Sequence, residues 1–196
     1  MTKSALLARV PPLYRLTRGL QDRRHARESE PTRQKHAVLR KAARDYDLHV
    51  LVETGTYTGE TAWAFRRDFD RIETIELEPE LARLARIRFA RTPVVHVHEG
   101  DSARVLPRIL ASLAQPALFW LDAHPHTDRS ANESPAPLVA ELSAIAAHSV
   151  RGHIVLVDDM RLMGSAGFPS LDALSLPGYA LQRFDDVGVF APANDS

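Results

Sequence analysis

The chain has 196 residues, 44% of them hydrophobic and 26% charged, and it contains no cysteine. That length suits one domain with a sizeable core, and the missing cysteine excludes disulfides, thiolate metal sites and a cysteine nucleophile. Lysine plus arginine equals aspartate plus glutamate at 25 each, so no global field favours nucleic acid or a membrane surface.

Charge is nevertheless unevenly placed. Residues 1–45 hold 12 Lys/Arg against 4 Asp/Glu, and the remainder holds 13 against 21. A basic arm precedes an acidic body. No apolar run approaches the ~20 residues of a membrane span. Arg9 and the pair Pro11-Pro12 interrupt any signal-peptide core, so the cytoplasm is the default location. Within residues 1–30, apolar positions such as Leu6, Leu7, Val10, Leu13 and Leu16 sit among arginines. This arm is expected to make a homodimer contact or to cover an active-site mouth, ahead of a domain spanning 31–196.

Residues 32–46 read as a helix covering a sheet. From residue 49 on, strands and helices alternate. "HVLVE" (49–53) is a strand and 59–68 a helix. "RIETIE" (71–76) is a strand, and 78–90 a helix striped by Leu81, Leu84, Ala85 and Phe89. Glu78 and Glu80 flank Pro79, which suits a helical first turn. "PVVHVH" (93–98) precedes a helix at 101–114 with Val105, Leu106, Ile109, Leu110 and Leu113 on one face. "ALFWL" (117–121) is followed by a polar loop and a helix near 136–148, striped by Leu138, Val139, Leu142 and Ile145. "HIVLV" (153–157) is the fifth strand. Five such repeats predict a parallel sheet with right-handed crossovers. A short helix near 169–175 then leads to "YALQRF" (179–184) and "VGVFAPA" (187–193), too close for a crossover and so an antiparallel hairpin. His96 and His98 alternate on one strand face, a geometry that can bind metal, but no third ligand is apparent and a half-exposed face is expected. His49, His148 and His153 lie near element ends and are expected to face solvent.

The run Glu53-Thr-Gly55-Thr-Tyr57-Thr-Gly59-Glu-Thr61 turns from strand to helix where open α/β sheets bind ligands. It lacks the third glycine of a dinucleotide fingerprint and the lysine of a P-loop, so a phosphate-centred ligand is poorly supported. A glycine turn beside a carboxylate suits a cationic ligand instead. Glu76 ends the second strand, 21 positions after Gly55, where an acid accepts hydrogen bonds from ribose hydroxyls. A ribose with a cationic group and no phosphate points to S-adenosylmethionine (SAM).

"VETGTYTGET", "TIELEPE", "EGDSARVLP", "FWLDAH" and "IVLVDDM" follow one another in an order and spacing that resemble the class I SAM-dependent methyltransferases. They are most similar to the magnesium-dependent, catechol-type small-molecule O-methyltransferases and to bacterial methyltransferase-like proteins carrying "FWLDAH". The resemblance covers roughly residues 45–193. It implies a Rossmann-like doubly wound α/β sheet, helices on both faces, with order 3-2-1-4-5-7-6 and strand 7 antiparallel. It implies that Glu53, Gly55, Tyr57, Gly59 and Thr61 shape the methionine end of the pocket, that Glu76 holds the ribose, and that Asp101 and Ser102 border the adenine, with Asp122 also beside the cofactor. Bland alternatives stand beside these roles. The glycines could serve only a tight turn, Glu76 could cap the next helix, and Ser102 could be a helix residue without a ligand.

Asp122 ends the fourth strand and Asp158-Asp159 the fifth. Neighbouring strands lie about 4.8 Å apart, so these carboxylates should converge and repel unless compensated. A hard cation compensates them, and Mg²⁺ is the natural choice. The resemblance implies the same metal positions. Two departures stand out. Asp159 replaces a frequent asparagine, and no lysine base follows Asp122; His124 or His126 is left to take the acceptor's proton. A loop-capping role for Asp158-Asp159, and a packing or capping role for His124, are the alternatives. The loops at 125–135 and 161–169 should border the acceptor, with Leu162, Met163 and Phe168 as an apolar wall. A small hydroxylated metabolite or sugar fits, and the acidic body disfavours a nucleic-acid acceptor.

Overall fold

The computed structural model describes residues 29–123, 137–165 and 167–193. His124, His126, the loop around them and the arm up to residue 28 lie outside the described residues. The chain divides into two compact units, Met1–Ala37 and Val38–Ser196. Helix α1 (Glu30–Asp45) begins in the first and ends in the second. The second unit continues as β1 (Val50–Thr54), α2 (Glu60–Phe65), β2 (Arg71–Glu76), α3 (Pro79–Phe89), β3 (Val95–Glu99), α4 (Ser102–Leu110), β4 (Leu118–Leu121), α5 (Leu138–Ala147), β5 (Ile154–Val157), β6 (Tyr179–Phe184) and β7 (Val187–Pro192).

These strands form one seven-stranded sheet in the order β3-β2-β1-β4-β5-β7-β6, as expected. β7 runs antiparallel to both β5 and β6, and the other pairings are parallel. β4 and β5 are apolar throughout, and β1 is apolar up to Val52, because both faces are covered. Strand alternation divides them between two cores. Val50, Val52, Phe119, Leu121, Val155 and Val157 pack with Leu106, Ile109 and Leu142 of α4 and α5. Leu51, Leu118, Trp120, Ile154 and Leu156 pack with Leu39, Phe65 and Phe89 of α1, α2 and α3. No helix among the described residues is long and apolar enough to cross a membrane.

The tertiary structure corrects four expectations. The helix near 169–175 is only a 3₁₀ turn, Leu171–Ala173. Pro169 and Pro177 bracket too few residues to repay helix nucleation, and Leu174 and Leu176 are buried from extended chain instead. On α3 the buried residues are Ala82, Ala85, Ile87, Arg88 and Phe89, and the face is not led by Leu81 and Leu84. On α5 the buried face runs Leu138, Glu141, Leu142 and Ile145, while Val139 is exposed. His153 is buried rather than solvent-facing. The Ala117 N–H donates to its Nδ1 at 3.1 Å, and its Nε2 lies 2.8 Å from His148 Nδ1. Burial, then the neighbouring His148, push its pKa down to about 4, so it stays neutral and joins β4 to β5 as a hydrogen-bonding strut.

Candidate active site

Register brings the candidate residues to one end of the sheet. Thr54 pairs with both Ile75 and Leu121, and Leu121 pairs with Val157. Glu53, Glu76, Asp122 and Asp158 are therefore all within two positions of one level, at the carboxyl ends of β1, β2, β4 and β5. Sheet order reverses between β1 and β4, the switch point where ligands sit in such folds.

The glycine turn is held by backbone bonds to β2, with the N–H groups of Gly55 and Thr56 donating to the Ile75 carbonyl at 2.9 and 3.1 Å. Gly55 has φ +88°, and a Cβ there would lie 2.5 Å from the Asp122 carbonyl oxygen. The turn thus passes directly over the end of β4. Gly59, at φ +76°, starts α2, and a Cβ there would meet the Phe89 ring at 2.8 Å. Both glycines are needed sterically, whatever else they contact. Tyr57 takes φ +46° and is 55% exposed, a strained conformation for a bulky residue at the lip of the turn.

Glu76 is buried and accepts from two backbone amides, Tyr57 N–H at 2.7 Å and Glu78 N–H at 2.9 Å. It ties the turn to the start of α3. Two amide bonds leave carboxylate lone pairs for further donors. Glu53 is buried beneath the turn. Burial, helped by the nearby Asp122 and Glu76 charges, raises its pKa to about 8 despite hydrogen bonds from Thr74 and Thr61. Thr74 donates its hydroxyl to Glu53 Oε2 at 2.6 Å. Glu53 is therefore a neutral acid at pH 7 that a cation placed above it would ionise. Asp101 caps α4, accepting from Ala103 N–H at 3.0 Å, and Ser102 is the buried first residue of that helix. The Gly100 N–H donates to the Glu76 carbonyl at 2.8 Å, which sets this corner beside Glu76.

Asp122, Asp158 and Asp159 converge, each offering one carboxylate oxygen within 4.8 Å of the others. Octahedral Mg²⁺ with ligands at about 2.1 Å sets ligand oxygens about 3.0–4.2 Å apart. The acids need to close by up to about 1.8 Å in a pair to reach the shorter of those spacings, and their all-oxygen chemistry suits such an ion. Asp159 has φ +53° and donates its N–H to Asp158 Oδ1 at 2.7 Å. Its own Oδ1 accepts from Arg161 Nη1 at 2.6 Å. Beside the acids lies a cleft walled by Leu121, Leu138, Val157, Met163 and Phe168, with Glu141 and Asp158 as its polar points. Of the three residues expected to wall an acceptor site, Met163 and Phe168 line this cleft and Leu162 does not.

Sequence reading missed three charged residues. Arg88, buried on α3, donates Nη1 to the Thr58 carbonyl at 2.6 Å and lies 5.3 Å from the Trp63 ring centre, pinning the glycine turn from behind. Glu141 continues the Leu138 stripe at i+3, a signal that was available but masked by its charge. Arg161 lies next to the acids in sequence, yet its second partner, Asp186, is 25 residues away.

Solved structures share this architecture. An O-methyltransferase of Bacillus cereus in complex with S-adenosylhomocysteine (SAH) superposes with a TM-score of 0.61 at 16% identity, covering 97% of this chain and 92% of that one. The chain has the methyltransferase fold. The O-methyltransferase TomG of Streptomyces achromogenes, involved in tomaymycin synthesis and solved with SAM, gives 0.58 at 20% identity over 85% of this chain and 82% of its own. The SAH-bound methyltransferase PaMTH1 of Podospora anserina gives 0.58 at 16% identity over 94% and 89%. No protein-family model and no curated protein matches the chain. Within a methyltransferase fold, the glycine turn, Glu53 and Glu76 lie on one side of the switch point, and the three aspartates and the apolar cleft on the other.

Proposed function

We propose that the protein is a SAM-dependent O-methyltransferase acting on a small hydroxylated acceptor, with Mg²⁺ held by Asp122, Asp158 and Asp159. One observation carries the reading: a cation-compatible glycine cradle and a cluster of oxygen ligands open side by side at the switch point, next to an apolar cleft. Glu76 would receive the ribose hydroxyls. Glu53 would face the cationic methionine end, with Gly55, Tyr57, Gly59 and Thr61 shaping that pocket and Asp101 and Ser102 the adenine border. Arg88 and Phe89 keep the turn in place from behind.

SAM, when bound, would supply its sulfonium methyl to the acceptor oxygen and leave as SAH, the S–CH₃ electron pair staying on sulfur. Asp122, Asp158 and Asp159 would hold the magnesium ion, which would supply a Lewis acid that lowers the pKa of the acceptor hydroxyl. The cleft walls of Leu121, Met163 and Phe168 exclude water and hold the acceptor body. His124 or His126 accepts the hydroxyl proton, which makes a metal-independent route through His124 the rival reading. Asp159's pairing with Arg161 favours that rival enough to test it. We also propose that residues 1–30 act in dimer contact or as a cover, within the cytoplasm.

Calorimetry with SAM, SAH and NAD tests the cofactor, and NAD binding without SAM binding overturns the proposal. Glu76→Ala should weaken SAM binding by about 1–3 kcal/mol, the scale for losing a charged hydrogen-bonding partner; an unchanged affinity would remove Glu76 from the site. Because Glu53 is protonated at pH 7 when free, binding of the SAM cation should release a proton. Calorimetry at pH 7 in two buffers of different ionisation enthalpy reads this, and Glu53→Gln should abolish the difference. Labelled SAM offered with phenols, sugars and glycosides identifies the acceptor class, and no label transfer to any acceptor would favour a silent SAM-binding module.

A further inference from the structure

Asp159 already carries a cation. Arg161 Nη1 donates to its Oδ1 at 2.6 Å, and the same guanidinium bonds Asp186 Oδ2. The backbone reinforces this, since Arg161 N–H donates to Asp186 Oδ1 at 2.8 Å and Met160 N–H to the Asp186 carbonyl at 2.9 Å. Asp186 lies in the turn between β6 and β7. The hairpin turn, the guanidinium and Asp159 therefore form a clasp beside the aspartate cluster. Asp159 holds a left-handed backbone, which costs energy and is fixed here by its N–H bond to Asp158. Its carboxylate faces two claims at once, from the guanidinium and from any ion held with Asp122 and Asp158.

We propose that Arg161 is a positioning residue, the resident counter-cation of Asp159, which competes with a divalent cation for that carboxylate. The inference rests on the magnesium reading above. Asp122 and Asp158 form the first attachment, and Asp159 joins as the guanidinium shifts wholly to Asp186. Arg161 keeps the acids together when no metal is bound and weakens the metal's hold when one is. A unit charge about 6 Å from a dication, screened almost as in water, changes affinity about tenfold.

Mn²⁺ titration of the full chain, read by calorimetry without SAM, tests this. Arg161→Gln, or Arg161→Met with its apolar stem intact, should bind Mn²⁺ about tenfold more tightly than wild type. Arg161→Lys keeps the charge and should bind as wild type does. Combining Asp159→Asn with Arg161→Gln should erase the gain, because the competition needs both partners. Thermal unfolding gives a second readout: Arg161→Gln should melt below wild type in EDTA, and saturating Mn²⁺ should narrow the gap. Mn²⁺ binding to wild type with no tighter binding in either neutral variant, or a melting gap that Mn²⁺ leaves unchanged, overturns the inference alone. Failure of every variant to bind Mn²⁺ while SAM still binds removes the magnesium reading and this inference together, and leaves the methyltransferase reading standing.

Discussion

Gly55→Ala should destabilise the protein by about 2–5 kcal/mol and abolish measurable SAM binding. Two penalties add. At φ +88° an L side chain is strained. The new Cβ would also stand 2.5 Å from the Asp122 carbonyl oxygen and 2.9 Å from its carbon. Those are backbone atoms, so no rotamer change relieves the clash. Either the turn lifts off β4 or the end of β4 moves, and Asp122 moves with it. One substitution thus disturbs the cradle and the aspartate cluster together. Gly164→Ala and Gly178→Ala are the controls. Their φ values of +83° and +80° are as positive, but nothing lies within 4 Å of a Cβ there. They should lose only about 1 kcal/mol. Urea unfolding and SAM calorimetry on the three variants measure the contrast. A Gly55→Ala protein as stable as the controls, with wild-type affinity, would refute this account of the turn.

EDTA should abolish methyl transfer, and Asp122→Asn should lower turnover by on the order of 10²-fold or more, the loss expected when several kcal/mol of transition-state stabilisation disappear. The argument is electrostatic. Asp158 and Asp159 are buried, and Asp122 stands within 4.8 Å of both. Arg161 brings one positive charge to the cluster through Asp159, and three carboxylates so placed need a further proton or cation. A proton gives no means to activate an acceptor hydroxyl; a divalent ion does. Asp122→Asn should also weaken SAM binding, because it removes a negative charge close enough to act on Glu53, and so on a cation placed beside it. Asp159→Asn should affect SAM binding less. Activity that survives EDTA and is lost in His124→Ala would select the metal-independent route instead.

Much of this was legible without coordinates because it depends on near neighbours in the chain. The five apolar β runs, the βα alternation and the close final hairpin follow from periodicity over 5–15 residues. The glycines of the first turn follow from its need for positive φ. Acids at strand ends could be placed together once sheet order was expected, since strand spacing fixes how near they come. Local pattern also misled. On α3 and α5 the count of apolar side chains pointed slightly off the buried face, because a long polar side chain can be buried when a partner or a wall awaits it.

Those partners come from elsewhere in the chain, and only the tertiary structure decided them. Arg88 is inside because the Thr58 carbonyl, 30 residues earlier, meets its guanidinium. His153 is inside because the Ala117 amide, 36 residues earlier, meets its ring. Arg161 turns toward Asp159 because the β6–β7 turn, 25 residues on, delivers Asp186 to it. The sequence by itself determined the elements, their order and the residue types at the strand ends, since each rests on backbone preference and side-chain period. Which charges are buried, how strongly Glu53 holds its proton and what Asp159 is bound to depended on register between distant segments, because desolvation and Coulomb interaction act through space rather than along the chain.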